Sequence, residues 1–220
     1  TPSWNRDSVG EKKFTRICRC FYRRLSKKIR FIGNRSSGKQ GYAIARAAAR
    51  RGAEVTLILA NSDLPDPSGI HCIRVSTAEE MFSHVETEFD QCDVLVMSAA
   101  VADARPSQYS EGKIKKGDLQ HIELSENPDL LKSIARLRDK QIVVAFAAET
   151  SLDIEIAKAK LVAKGANILY LNDVSEGAIF GAKETQGIVI TSNGAQIEVP
   201  TSSKDSLGEL LLDQALIQLG

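Results

Sequence analysis

A glycine-containing loop early in the chain has the residue types of an anion-binding site. Residues 33–40 read Gly-Asn-Arg-Ser-Ser-Gly-Lys-Gln and match the first seven positions of the phosphate loop of nucleoside triphosphatases. The eighth position of that loop is a serine or threonine that binds magnesium, but here it is Gln40. Such enzymes also carry an aspartate directly after an apolar strand, whereas the strand predicted at 93–98 runs into Ala99 and Ala100. The loop therefore predicts a general anion site built from backbone N–H groups.

A tyrosine and a lysine later in the chain have the spacing found in short-chain dehydrogenases. Tyr109 and Lys113 would have to share one helix face to transfer a proton, but Gly112 and Gly117 weaken that helix. The glycine fingerprint and the ribose-binding acid of a dinucleotide enzyme are also missing, because the second predicted strand ends in Ala-Asn-Ser at 60–62. An NAD(P)-dependent short-chain-type oxidoreductase stays as an alternative.

Small residues and charged groups follow several predicted strands, at the edge where open α/β sheets bind ligands. Ala99 and Ala100 would let a substrate approach the backbone, and Asp103 offers a carboxylate. Phe146 is followed by two alanines and could stack on a base or pack in the core. Lysines on the same loops and on a following helix suit either a polyphosphate or a solvated surface, namely Lys113, Lys115, Lys116, Lys160 and Lys164.

The hydrophobic pattern predicts the sheet that would bring these groups together. Short apolar runs alternate with helical patterns, which is typical of a parallel sheet covered by helices. The predicted strands are 29–33, 54–60, 70–75, 93–98, 141–146 and 166–171, and the later predicted helices are 153–164 and 204–219. Asn193-Gly194 predicts a hairpin between 187–191 and 195–199. The fold class is therefore α/β, a Rossmann-like three-layer sandwich with a mostly parallel sheet and a C-terminal antiparallel hairpin.

Local signals place the ends of three further helices. One helix runs from Gly38 to Arg51, and Thr77 with Glu80 forms a capping box that opens the next. Asn127 is expected as an N-cap with Pro128 at the first helical position. Residues 104–120 are polar, rich in lysine and broken by glycine, so they predict a mobile loop.

The composition excludes several classes of protein. The chain has 220 residues, of which 43% are hydrophobic and 26% charged, and this suits one soluble domain. No apolar run approaches the roughly 20 residues that span a bilayer, so we expect no membrane segment. The four cysteines lack the paired spacing of a zinc site. Cys72 and Cys92 are expected to be plain buried thiols in a reducing, cytoplasmic setting.

The formal net charge of +1 conceals two unlike parts. Residues 1–28 carry nine basic and two acidic side chains, whereas the other 192 residues carry 20 basic and 26 acidic ones. A nucleic-acid arm or a transit peptide is conceivable from such a charge, but a poorly ordered stretch outside the domain's own design is preferred, and no nucleic-acid partner is expected. The predicted organisation is an atypical basic segment at 1–28 followed by one domain at 29–220.

Six ordered motifs in this domain together resemble the bacterial phosphopantothenate-cysteine ligase family. They lie at 34–41, 99–103, 113–116, 127–129, 146–150 and 172–175. The resemblance implies a ligase of coenzyme A biosynthesis that joins 4′-phosphopantothenate to L-cysteine through an acyl-cytidylate, with CTP as co-substrate and Mg²⁺. In this family the domain usually follows a flavin-dependent decarboxylase, and no flavin site is expected in this chain.

The resemblance also implies roles for individual residues. Asn34 and Lys113 would be catalytic, with Asn34 at the acyl-cytidylate and Lys113 on a flap that closes over the triphosphate. The substrate site would comprise Asn34, Ser36, Gly38, Ala99 and Ala100. The CTP site would comprise Asp103, Lys113, Asn127, Pro128, Asp129, Leu130, Phe146, Lys160 and Lys164. The Asn34 loop and the C-terminal hairpin region would take part in a homodimer.

The chain departs from the family pattern upstream of residue 29. Family members place a central strand and a glycine-rich loop there, and residues 1–28 show no apolar run of that kind. We therefore expect the central strand to be missing. This departure supports a further alternative, a degenerate nucleotide-binding or dimerisation module without activity.

Overall fold

In the residues that the computed structural model describes, twelve strands and five helices form an α/β fold. The residues that the structure describes are 13–18, 22–26, 30–33, 37–60, 62, 64–107, 121–127, 129–135, 138–175 and 184–220. The strands are β1 Lys13–Cys18, β2 Tyr22–Ser26, β3 Arg30–Gly33, β4 Glu54–Ala60, β5 His71–Val75, β6 Val94–Met97, β7 Ala104–Pro106, β8 Leu124–Glu126, β9 Ile142–Glu149, β10 Ile168–Asp173, β11 Glu184–Thr191 and β12 Gln196–Ser203. The helices are α1 Lys39–Arg50, α2 Ala78–Phe89, α3 Leu130–Ala135, α4 Ile154–Ala163 and α5 Lys204–Leu219.

Eight of the strands form one sheet in the order β12-β11-β10-β9-β6-β1-β4-β5. The six strands from β10 to β5 in that order are parallel, whereas β11 and β12 form an antiparallel hairpin at one end. Strands β2 and β3 pair with each other outside this sheet, and so do β7 and β8. The predicted fold class, a mostly parallel sheet with a C-terminal antiparallel hairpin, is confirmed.

The expectation that the central strand is missing is wrong. Strand β1 lies inside the basic segment 1–28 and pairs in parallel with β4 on one side and β6 on the other. Strand β1 has no uninterrupted apolar run, because Lys13 and Arg16 are charged, so its sequence does not predict a central strand. Hydrogen bonding from both neighbours supplies what the local pattern lacks, which is common for strands because their stability depends on context. The predicted strand at 29–33 exists as β3, but it pairs with β2 and does not enter the large sheet.

Helices cover both faces of the sheet, which makes the domain a three-layer sandwich. Buried residues of α1 and α5 pack with Val144, Ile168 and Tyr170 on one face, here called the α1/α5 side. Buried residues of α2, α3 and α4 pack with Ala145 and Leu169 on the other face, here called the α3/α4 side. Successive residues of one strand therefore point to opposite layers, as the pleat requires.

Most predicted elements are present with small shifts of their ends. The helix predicted at 204–219 has those bounds, and Thr77 accepts a hydrogen bond from the Glu80 N–H at 3.0 Å, as a capping box requires. The predicted cap of α3 is wrong. Asp129 caps this helix, because its carboxylate accepts hydrogen bonds from the N–H groups of Leu131 at 3.1 Å and Lys132 at 3.2 Å. The predicted loop at 104–120 contains β7 at its start, and residues 108–120 lie outside the described residues.

Ion pairs hold α5 against α1 along their exposed edge. Arg46 pairs with Asp205 at 3.0 Å, and Arg51 pairs with Glu209 at 2.6 Å and with Asp213 at 2.8 Å. Beneath them the helices approach closely, since a Cβ on Gly208 would lie 3.3 Å from the Ile44 Cα. This packing determines where the first turn of α5 meets the first turn of α1.

Gly187 allows β11 to approach β10 where the pairing of β11 with β12 shifts its register. Gly187 pairs with Asn172 of β10. A Cβ built on Gly187 would lie 2.0 Å from the Leu171 carbonyl oxygen and 3.0 Å from the Tyr170 ring. Because that carbonyl belongs to the backbone, it cannot move aside as a side chain would. We predict that Gly187→Ala lowers the free energy of unfolding by about 1–3 kcal/mol, the usual cost of overpacking a core.

Chemical denaturation followed by circular dichroism would measure this change. Glu198→Ala is the matched control, because Glu198 is an exposed residue on the neighbouring strand β12. Equal stability of the two variants would contradict the close approach of β10 and β11.

Candidate functional site

A cavity of about 790 Å³ lies at the edge of the sheet where the parallel strands end. In the sheet, β1 lies between β4 and β6, so the strand order reverses at β1. Open α/β sheets bind ligands in the crevice that such a reversal of strand order creates. The residues after β6, namely 98–104, line the cavity together with the first turn of α1.

A small network joins the loop after β6 to the segment before α3. The Asn127 side chain donates to the Ala102 carbonyl at 2.6 Å, and its backbone N–H donates to the Asp103 carbonyl at 2.7 Å. Arg105 donates to the Asn127 side-chain oxygen at 3.0 Å. Asn127 therefore positions the loop, whereas the exposed Asp103 carboxylate is available at the cavity wall.

Two residues predicted for the nucleotide site also have structural roles. Asp129 lines the cavity, but its carboxylate caps α3. Leu130 lines the cavity too and is 5% exposed, packed in the core of the α3/α4 side. Both residues are placed to shape the wall of the cavity through the position of α3.

Two of the predicted lysines, Lys160 and Lys164, are described; both lie on the α3/α4 side, and they differ in their partners. Lys160 forms an ion pair with Glu149, the last residue of β9, so part of its charge is balanced by that carboxylate. Lys164 lies one turn further on, at the C-cap of α4, and its side chain lines the cavity without an ion pair to any described residue. Lys164 is therefore the more available of the two cations for an anionic ligand.

Phe146 lies on the α1/α5 side of the cavity. Its ring meets the Tyr170 ring edge to face, with centroids 5.6 Å apart and an angle of 71° between the planes. Such pairs stabilise a fold beyond the burial of their apolar area. Phe146 is half-buried, packs against the core and also lines the cavity, so core packing is confirmed and stacking on a base stays a prediction.

The first turns of α1 and α5 close the cavity on the same side. Gly38 precedes α1 with φ of 66°, a left-handed conformation that glycine adopts without strain. Gln40 donates its side-chain N–H to the Lys204 carbonyl at 3.1 Å, which joins the two helices. Burial and the nearby Lys39 ammonium both lower the pKa of Lys204, which lines the cavity.

Ten of the predicted site residues are described, and all of them line this one cavity. They are Gly38, Ala99, Ala100, Asp103, Asn127, Asp129, Leu130, Phe146, Lys160 and Lys164. Asn34, Ser36, Lys113 and Pro128 lie outside the described residues, and so does Tyr109 of the dehydrogenase pattern. Sequence reasoning missed Lys204, Tyr170 and Thr185, which also line the cavity. Only Lys204 had a usable signal, since it begins a predicted helix.

The expectations on cysteines, metal ligands and membrane segments concern features outside the cavity. Cys92 is buried and Cys72 half-buried, and both are free; burial, followed by the charge of Asp66, raises the pKa of Cys72. Within the described ranges, no cluster of three or more metal-ligating side chains is found. None of the helices described has the length and apolar character needed to cross a bilayer.

Fold and site together define a Rossmann-like α/β domain with a ligand cavity where its strand order reverses. The chain belongs to the family described as the DNA/pantothenate metabolism flavoprotein C-terminal domain, whose model matches residues 26–218.

Curated relatives and a solved structure agree with this assignment. The coenzyme A biosynthesis bifunctional protein CoaBC of Mycobacterium tuberculosis is 42% identical over 198 residues, which cover 84% of this chain and 47% of that protein. The Escherichia coli protein of the same name is 39% identical with the same coverage of both chains. A crystal structure of the C-terminal domain of a CoaBC protein matches with a TM-score of 0.79 and 32% identity, over 94% of this chain and 95% of that one. The chain thus spans about half the length of the curated relatives it matches.

We predict that Lys204→Met raises the melting temperature of the ligand-free protein at neutral pH. The folded state disfavours the charged form of Lys204, because its pKa lies below the ordinary value of 10.5. The unfolded chain therefore binds more protons, and wild-type stability rises with pH through the window below 10.5. The advantage of the variant should shrink over the same window.

Thermal melts at several pH values, with and without pyrophosphate, would test this. Lys158→Met is the control, since Lys158 is exposed and paired with Glu155 at 2.8 Å. It should bring no gain in melting temperature. A lower melting temperature for Lys204→Met, or equal protection of that variant and wild type by pyrophosphate, would contradict the assigned environment of Lys204.

Proposed function

We propose that this chain is a phosphopantothenate-cysteine ligase domain that joins 4′-phosphopantothenate to L-cysteine with CTP, in coenzyme A biosynthesis. The observation that carries the proposal is the convergence of the family's motif residues on one cavity at the end of the parallel strands. The names of the curated relatives place them in coenzyme A biosynthesis. Because the chain spans about half of those proteins, the proposal covers the ligase half alone.

The proposed reaction has two steps that share one cavity. A carboxylate oxygen of 4′-phosphopantothenate attacks the α-phosphorus of CTP, so a P–O bond forms to that oxygen while the bond from the α-phosphorus to pyrophosphate breaks. The cysteine amine then attacks the acyl carbon, and CMP leaves with the former carboxylate oxygen. The amine loses a proton as the amide forms. Activation of the acid in this way turns a poor leaving group into a good one. Positioning and charge neutralisation are what the protein has to supply.

The cavity offers groups for both requirements. Ala99 and Ala100 leave room beside the backbone after β6, so that a substrate can approach closely. Lys164 and Lys204 approach the cavity from opposite layers, which suits a ligand with several negative charges. Lys113, on the flap implied by the family resemblance, would neutralise the charge that develops on the leaving pyrophosphate.

Magnesium is proposed to enter with the triphosphate. Nucleotide-bound Mg²⁺ usually keeps several waters and uses only one or two protein carboxylates. The Asp103 carboxylate is exposed at the cavity and fits that limited role, whereas Asp129 already accepts two backbone hydrogen bonds. A homodimer and a cytoplasmic location are part of the same proposal. The homodimer rests on the family resemblance, and the location rests on the free thiols of Cys72 and Cys92.

The degenerate-module alternative loses part of its support. Its basis was the missing central strand, and β1 occupies that place in the sheet. The family's glycine-rich loop after the strand is still absent, because residues 19–29 contain no glycine. Activity therefore has to be decided by assay.

We predict that the chain releases pyrophosphate from CTP when 4′-phosphopantothenate and Mg²⁺ are present, and that Lys113→Gln reduces the rate at least 100-fold. Loss of one charge that stabilises a developing anion has an effect of about that size. A coupled pyrophosphate assay measures it, with Lys132→Gln as a control because Lys132 is exposed on α3. No release by the wild type would favour the degenerate module, and a wild-type rate in Lys113→Gln would remove Lys113 from the mechanism.

Asn34→Asp should separate the two steps. We expect this variant to release pyrophosphate in the first turnover but to form the amide slowly, so that acyl-cytidylate accumulates. The added carboxylate would place a negative charge beside the phosphoryl group, whose own negative charge grows as CMP leaves the acyl carbon. Mass spectrometry of the quenched reaction detects the intermediate. Normal amide formation would show that Asn34 does not serve the second step.

A further inference from the structure

Three side chains on β10 and β11 form a hydrogen-bonded chain that ends at the cavity. Tyr170 and Thr185 are 1% and 5% exposed, and their hydroxyl oxygens lie 2.8 Å apart. The Thr185 hydroxyl donates to the side-chain oxygen of Asn172 at 2.8 Å, and the Tyr170 hydroxyl is 3.4 Å from the same oxygen. All three residues line the cavity.

The number of available protons fixes the direction of donation along these hydrogen bonds. Each hydroxyl has a single proton to donate. When Thr185 donates to Asn172, Tyr170 donates to Thr185, and every proton has an acceptor. The reverse direction would have the Asn172 nitrogen donate to Thr185 and Thr185 to Tyr170, which leaves the buried phenol proton with no acceptor in the described part of the chain. Burial raises the pKa of Tyr170 to about 12, so the phenol keeps its proton at any ordinary pH.

This direction fixes the orientation of the Asn172 amide. Its oxygen accepts the proton of the Thr185 hydroxyl, so its NH₂ group is the part left to bind something else. Asn172 is half-buried at the cavity wall, and among the described residues none accepts a hydrogen bond from that nitrogen. An amide held in one orientation by buried partners is a preorganised donor, because little freedom is lost when a ligand accepts from it.

The same tyrosine also positions the neighbouring aromatic ring. Tyr170 is paired in register with Phe146 and contacts its ring edge to face. Asn172 lies two residues beyond Tyr170 on the same strand, so both side chains project to the α1/α5 side. A flat ring stacked on Phe146 would therefore lie on the same side of the sheet as the Asn172 amide.

We propose that Asn172 recognises the nucleotide base, donating from its side-chain nitrogen to an acceptor on the edge of a pyrimidine stacked on Phe146. This deepens the proposed function and rests on it, since the base is the cytosine of CTP. Cytosine carries two adjacent acceptors, a carbonyl oxygen and a ring nitrogen, that can take such a bond. Tyr170 and Thr185 are positioning residues that act through Asn172.

Binding of CTP and of pyrophosphate by calorimetry tests the inference with the intact chain. Asn172→Asp is nearly isosteric but replaces the donor with an acceptor, so its Kd for CTP should rise about tenfold or more while its Kd for pyrophosphate stays unchanged. Thr185→Val frees the amide and should weaken CTP binding by a smaller factor, and Thr185→Ser should restore it. Thr201→Val is the control, because Thr201 is an exposed residue on β12 that bonds to Gln186 at 2.9 Å.

The possible outcomes separate this inference from the proposed function. Wild-type affinity of Asn172→Asp for CTP would overturn the inference and leave the proposed function intact. An equal loss of CTP and pyrophosphate binding would also overturn it, because a general disturbance of the cavity would explain both. Failure of the wild type to bind CTP more tightly than pyrophosphate would overturn the base contact together with the CTP proposal. Circular dichroism of each variant identifies any that fail to fold, and Thr185→Ser against Thr185→Val then decides the matter.

Discussion

The parallel direction of six neighbouring strands is the constraint on which the site depends. Because β1, β4, β6, β9 and β10 all end at one edge of the sheet, the residues that follow them meet there although they are far apart in sequence. The chain first moves from β1 toward β4 and β5, then returns through α2 to place β6 on the other side of β1. The two loops that leave this point turn away from each other, and the cavity forms between them. Strand β1 is therefore needed for the site as well as for the sheet, because without it β4 and β6 would not flank a crevice.

The pleat of the strands then divides the cavity into two kinds of wall. Phe146, Tyr170 and Asn172 project to the α1/α5 side, whereas Glu149 and its partner Lys160 lie on the α3/α4 side. The first wall offers a flat ring, an amide and the Lys204 ammonium, and the second offers two lysines next to a carboxylate. A ligand with a planar base and several phosphates has matching parts for both walls. This division follows from residue parity along β9 and β10, so a shift of one residue in either strand would exchange the walls.

Much of the fold could be predicted from the sequence because its signals are local. The helix at 204–219, the Asn193-Gly194 hairpin and the Thr77 capping box each depend on residues within one or two turns of each other. Strand β1 could not be predicted in this way, since its central place is a property of β4 and β6. Similarly, the motif residues predicted a common site, but nothing near Thr185 indicates that it bonds to Tyr170 and Asn172. That contact requires the close pairing of β10 and β11 that Gly187 permits.

Gln40 shows how a departure from a motif can be understood from its contacts. In a phosphate loop the residue at this position holds magnesium through a hydroxyl, which a glutamine cannot supply. Here the Gln40 amide donates to the Lys204 carbonyl and so joins the first turn of α1 to the first turn of α5. The bond keeps the Lys204 side chain at the cavity, close to Lys39, in surroundings that disfavour its charge. An anion bound there would relieve the repulsion between the two ammonium groups, whereas a cation held by the loop would increase it. Where a phosphate loop has a metal-binding hydroxyl, this loop therefore has an amide contact that places the positive charge of Lys204 at the cavity.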